Sequence, residues 1–112
     1  MKEDSVYLRH ILEAIRRIEE NTGGGRESFM ASHTLQDAVP RNLQTMAEAT
    51  QRLSAQAKEQ QPTVDWRALS GFRNVLVHNY LSIDLDQIWR AIERDLPGLK
   101  TAAETVLARL ES

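Results

Sequence analysis

The sequence predicts an all-α protein, an antiparallel bundle of about four to five helices in a single domain spanning residues 1–112. Three observations lead there. Apolar residues recur every three or four positions along most of the chain, and no stretch alternates polar and apolar with the period of two that a half-buried strand needs. Turn signals are sparse, chiefly TGGG at 22–25 and QQP at 60–62, so the connections are short enough for antiparallel neighbours.

Each element follows from its pattern. Val6, Ile11, Ile15 and Ile18 form one stripe of a first helix from about residue 4 to residue 21, with charged residues between them, and TGGG ends it as a flexible breaker. Leu35, Val39, Leu43, Met46, Ala49 and Leu53 predict a second helix from about 33 to 59, kinked or starting late at Pro40. Asp65 suits the cap of a third, from 66 to 77 or 79. Asp84 and Asp86 suit the cap of a fourth that reaches Leu96, and Pro97 then opens a terminal helix carrying Leu99, Val106, Leu107 and Leu110.

Composition narrows the function classes. A chain of 112 residues holds one core and has no room for a separate catalytic domain, so an enzyme of this size may borrow surface from a second copy. The net charge of −2 excludes the global basic field of a general nucleic-acid coat protein, leaving only local phosphate contacts. With no cysteine there is no disulfide framework, thiolate metal site or Cys nucleophile. No apolar run approaches the roughly 18–20 residues that a bilayer requires, and the expectation is a soluble cytoplasmic protein.

One stretch asks for an explanation. GFRNVLVHNY at 71–80 has the apolar density of a buried helix, yet it carries an arginine, an asparagine, a histidine and a tyrosine. On a helical wheel with Arg73 at zero, Leu69, Phe72, Val75 and Leu76 fall between about 200° and 320°, an arc wide enough to face the core. The opposite arc holds Trp66, Ser70, Arg73, Asn74, Val77, His78 and Tyr80. Such a mixture suits a partly desolvated cleft or a subunit interface better than open water or a monomer's interior. Arg73 and His78 lie about 140° apart on a straight helix, too far round to grip one small group together. Either the helix unwinds near His78 or partners from elsewhere, such as a two-fold mate, complete the site.

RNVLVHNY matches the pattern RxxxxHxY, with Arg73, Asn74, His78 and Tyr80 in place. Around it stand DSVYLRHILEAIRRIE at 4–19, QDAVPRNLQ at 36–44, EATQRLS at 48–54, VDWRALSGFRN at 64–74 and DLPGL at 95–99. In that order and over nearly the whole chain, these blocks resemble the HepT-like family of the HEPN superfamily, small helical proteins encoded beside a minimal nucleotidyltransferase. The departures are Leu81, where the family commonly has Phe, and Ala47, where it commonly has Gly. The resemblance implies a ribonuclease toxin that needs neither metal nor other cofactor and works as a homodimer, its two motifs meeting in a cleft at the two-fold axis. It also implies a nucleotidyltransferase antitoxin that transfers AMP to Tyr80.

The residue types make chemical sense of that implication. RNA carries its own nucleophile, the ribose 2′-hydroxyl, so cleavage needs proton traffic and charge stabilisation. Histidine, with an unperturbed pKa of about 6.5, suits the first, and arginine's permanent charge and forked donors suit the second. His78 and Arg73 are therefore the candidate catalytic residues. Tyr80, a poor base with a phenol pKa near 10, is a candidate for positioning substrate and for modification; Asn74, one turn before His78, is a candidate to orient its ring. Simpler roles stand beside these: an ion-pairing arginine, a helix-end histidine favoured by the macrodipole, and an interface tyrosine. A non-catalytic helical module presenting Tyr80 and a basic cleft to nucleotides or to its partner enzyme is the alternative function. His10 and His33 read as solvated positions, Trp66 and Trp89 as packing residues, and Arg90 and Arg94 as a charged face shared with Glu93.

Overall fold

The computed structural model describes residues 2–78 and 84–112. Among them are six helices and no strand: α1 (Lys2–Thr22), α2 (Gly25–Ala31), α3 (His33–Gln51), α4 (Ala55–Glu59), α5 (Trp66–His78) and α6 (Leu85–Glu111). The fold class is as the sequence predicts, with six helices in place of four to five.

Helix α1 is the centre of the bundle, packing on α3 and on α6, while α5 docks on α3. Its inward stripe is Leu8, Ile11, Ile15 and Ile18, each at most 1% exposed. Val6, expected in that stripe, is 49% exposed; Leu8 takes its place two residues on. The stripe on α3 is Val39, Leu43, Met46, Ala47 and Thr50, and that on α6 is Ile88, Ile92, Leu96, Leu99, Ala103 and Val106. Both keep the spacing of three and four that holds side chains on one helix face. Cross-links between helices fix their direction. Lys100 of α6 pairs with Glu19 of α1 at 3.0 Å, and Arg9 near the start of α1 pairs with Glu111 at the end of α6, so the two run antiparallel.

Three boundaries differ from the sequence-based expectation, each for a tertiary reason. The segment after TGGG is a helix, not merely a hinge. Gly25 adopts φ +88, a conformation that strains any side-chain-bearing residue, and this turns the chain into α2. Phe29 of α2 is 0% exposed and lies 5.6 Å from the Trp89 ring, centroid to centroid; Arg26 pairs with Asp86 of α6.

The predicted 33–59 helix is two helices. Ser54 leaves the helical conformation because Asp4 holds it from 50 residues away. The Ser54 backbone N–H donates to Asp4 Oδ1 at 2.8 Å and its hydroxyl to Oδ2 at 2.6 Å, while the same hydroxyl accepts from Ala57 N and caps α4. Pro40 marks no late start, since α3 begins at His33.

The fourth and terminal helices expected on either side of Pro97 are one 27-residue helix. Pro97 and Glu93, whose carbonyl its missing N–H would have engaged, are both exposed, and the buried line from Leu96 to Leu99 crosses the proline uninterrupted. Packing on α1 outweighs the roughly 3 kcal/mol that an interior proline costs. The caps read from sequence hold: Asp65 accepts from Ala68 N at 2.9 Å, and Asp84 from Asp86 N at 2.9 Å.

Candidate functional site

Helix α5 divides only in part as the wheel predicts. Leu69 and Leu76 are buried against the bundle. Phe72 and Val75, expected to be core, are only half-buried: they line a groove of about 570 Å³ between α5 and α6, floored by Leu43 and Met46 of α3. On the other arc Trp66 is half-buried, its indole N–H shared between the carbonyls of Lys58 and Gln61 at 3.2 Å each, which is a packing role.

Arg73 sits on this second arc but leans back onto α3. Its Nη2 donates to Glu48 Oε2 at 3.3 Å and its Nη1 to Asn74 Oδ1 at 3.4 Å. Glu48 is held in turn by Gln44, one turn earlier on α3, whose Nε2 donates to Oε1 at 3.3 Å. The side chains of Arg73 and Glu48 are 28% and 41% exposed, so the pair is partly shielded from water, unlike the helix-surface pairs of α1. Arg73 Nε is enclosed and, among the described residues, meets no acceptor. An enclosed guanidinium N–H without an acceptor is an open demand for one.

His78 is the last residue of α5 and is exposed. Because α5 is helical through His78, it does not unwind between the two candidate catalytic residues. They are separated by about 7.5 Å along the axis and about 140° around it, so within one chain they look in different directions. Asn74 is exposed beside Arg73, and its Oδ1 accepts from the guanidinium. Tyr80 lies outside the described residues.

Sequence reasoning did not single out Glu48. It fell within EATQRLS, quoted as a block, but nothing local marks it as the partner of a residue 25 positions away. The remaining candidates stay at the surface. His10, His33, Arg90 and Arg94 are exposed, and Arg94 pairs with Asp95 at 3.2 Å. Among the described residues no group of three or more His, Asp or Glu side chains is placed to hold a metal ion, and no described helix is long and apolar enough to cross a membrane.

The fold and the face of α5 together define a small all-α domain that carries an arginine held by a carboxylate and, one and a half turns on, an exposed histidine. The chain belongs to the Ribonuclease HepT-like family, whose sequence profile matches residues 11–106. It is 35% identical, over 84% of its length and 86% of the relative's, to a "Probable ribonuclease HepT" of Thermococcus cleftensis. It is 33% identical over 98% of its length to a Methanocaldococcus jannaschii protein named "Gamma-glutamylcyclotransferase and putative RNase", of which it spans only 50%. It is also 29% identical, over 97% of its length and 98% of the relative's, to a "Putative RNase" of Caldanaerobacter subterraneus. No solved structure matches the chain at a significant level.

Proposed function

We propose that the chain is a metal-independent endoribonuclease, the toxin of a toxin–antitoxin pair, acting as a homodimer. The observation that carries the reading is the placement of Arg73 and His78 on one surface helix of a chain that belongs to a ribonuclease family.

In this reading the 2′-oxygen of RNA attacks the adjacent phosphorus, the bond to the 5′-oxygen breaks, and the products are a 2′,3′-cyclic phosphate and a free 5′-hydroxyl. Arg73 forks its donors onto the non-bridging oxygens, where negative charge grows as the phosphorane forms. Each terminal nitrogen carries two N–H groups, so the bonds to Glu48 and Asn74 leave one on each for such an oxygen. One proton must leave the 2′-hydroxyl while another reaches the 5′-oxygen. A single imidazole cannot be base and acid at the same instant, and two copies of His78 across a two-fold axis divide the work. The divergence of Arg73 and His78 along α5 supports a site completed by a second copy.

Regulation in this reading rests on the motif tyrosine. The partner nucleotidyltransferase directs the Tyr80 oxygen at the α-phosphorus of ATP, pyrophosphate leaves, and AMP remains on the tyrosine. A bulky anion there blocks a phosphate-binding cleft by size and charge.

The test is total RNA incubated with the purified protein in excess EDTA. Cleavage that persists with chelator and is lost in His78→Ala and Arg73→Ala supports the reading. Intact RNA with wild-type protein refutes it and leaves the binding module. A mass increase in units of AMP, lost in Tyr80→Phe, tests the regulatory half with partner and ATP; no increase removes it.

A further inference from the structure

Glu48 poses a problem for any phosphate site built on Arg73. A carboxylate 3.3 Å from the guanidinium repels the very anion that the guanidinium is there to bind. A site selected for affinity alone would leave that position neutral. A site selected for aim would keep it, because a long arginine side chain on a helix face otherwise samples many rotamers. The hydrogen bonds favour aim. Glu48 is fastened through Oε1 by Gln44, presents Oε2 to Arg73 Nη2, and Asn74 takes Nη1. Both terminal nitrogens are therefore held, while the enclosed Nε has no acceptor among the described residues. No other carboxylate among the described residues pairs with this guanidinium.

We propose that Glu48 is the positioning residue of Arg73: it acts through the guanidinium and not on the substrate, trading ground-state affinity for an arginine already aimed at the oxygens that gain charge in the transition state. The proposal rests on the RNA-cleavage reading above and adds to it a residue whose failure is separately visible.

Two measurements test it. The first is steady-state cleavage of an RNA oligonucleotide by wild-type protein, Glu48→Gln, Glu48→Asp, Arg73→Lys and the Glu48→Gln/Arg73→Lys double variant, with folding checked by circular dichroism. Glu48→Gln keeps the shape and an acceptor but loses the charge. Its kcat is expected to fall about tenfold or more, with KM unchanged or lower as the repulsion goes, and Glu48→Asp to restore part of the loss. On the Arg73→Lys background the same substitution is expected to change kcat less than about twofold, because residues that act through one another are non-additive. A wild-type kcat in Glu48→Gln, or an equal loss on both backgrounds, overturns the proposal.

The second measurement is independent of activity: ¹⁵N relaxation of the Arg73 Nε–H group, assigned by its absence from Arg73→Lys. Glu48→Gln is expected to lower its order parameter. An unchanged value overturns the proposal even if wild-type protein cleaves no RNA, an outcome that by itself counts against the RNA-cleavage reading alone.

Discussion

Glu48 and Arg73 are 25 residues apart in the chain and 3.3 Å apart in space, joined across the packed faces of α3 and α5. The pair decides which way the mixed face of α5 looks. Leu69 and Leu76 dock the helix on the bundle, the ion pair fastens its flank, and His78 is carried outward at the helix end. A cation is thereby held against the protein while a titratable ring remains accessible.

Arg73 and His78 of one chain diverge by about 140°, and in the proposed dimer the site draws on both copies. Wild-type protein, partially unfolded and refolded together with a several-fold excess of His78→Ala, is expected to lose far more RNA cleavage than dilution explains, since each mixed dimer holds one of the two histidines that the reaction uses. Activity that stays in proportion to the wild-type protein present argues that each chain works alone.

The break between α3 and α4 depends on a buried carboxylate. Asp4 is 4% exposed. Burial pushes its carboxyl up, but the opposing pull, led by the Ser54 hydroxyl and backbone N–H, is greater, and the net shift is below the ordinary 3.8. A depressed folded value means that Asp4 contributes stability in full above the ordinary value and loses it as pH falls through the lower, folded one. Asp4→Asn is expected to destabilise the protein by about 1–3 kcal/mol in urea unfolding at neutral pH, and to flatten the decline of stability below about pH 4.

The proline that α6 tolerates is a liability at an exposed position. Pro97→Ala restores a helical N–H and is expected to raise stability by about 1–3 kcal/mol. Gly98, where an added Cβ meets nothing within 4 Å, is expected to give about 0.5–1 kcal/mol on replacement by Ala. Thermal unfolding of the two variants and their combination checks both.

Much of the fold was legible in the sequence because it is local. The three-and-four spacing placed α1, α3, α5 and α6, and Asp65 and Asp84 announced their caps. What escaped is set by distant contacts. Helix α2 has seven residues and opens at the last of three glycines, too little for local propensity, and it is supported by the burial of Phe29 against Trp89. The break at residues 52–54 comes from Asp4, and the passage through Pro97 from the stripe that α1 covers. The candidate site shows the same division. Arg73 and His78 stand out as candidates from their spacing on one helix, whereas Glu48 becomes visible only when α3 and α5 are brought together.

The central claim is that Arg73 and His78 break RNA by using its own 2′-hydroxyl. Mass spectrometry of the ends formed on a short RNA in excess EDTA tests it most directly. The account predicts 2′,3′-cyclic phosphate and 5′-hydroxyl termini with wild-type protein, and neither with His78→Ala nor on an RNA carrying 2′-O-methyl groups. Termini of the opposite kind, 3′-hydroxyl and 5′-phosphate, or cleavage of the 2′-O-methyl RNA, would contradict it.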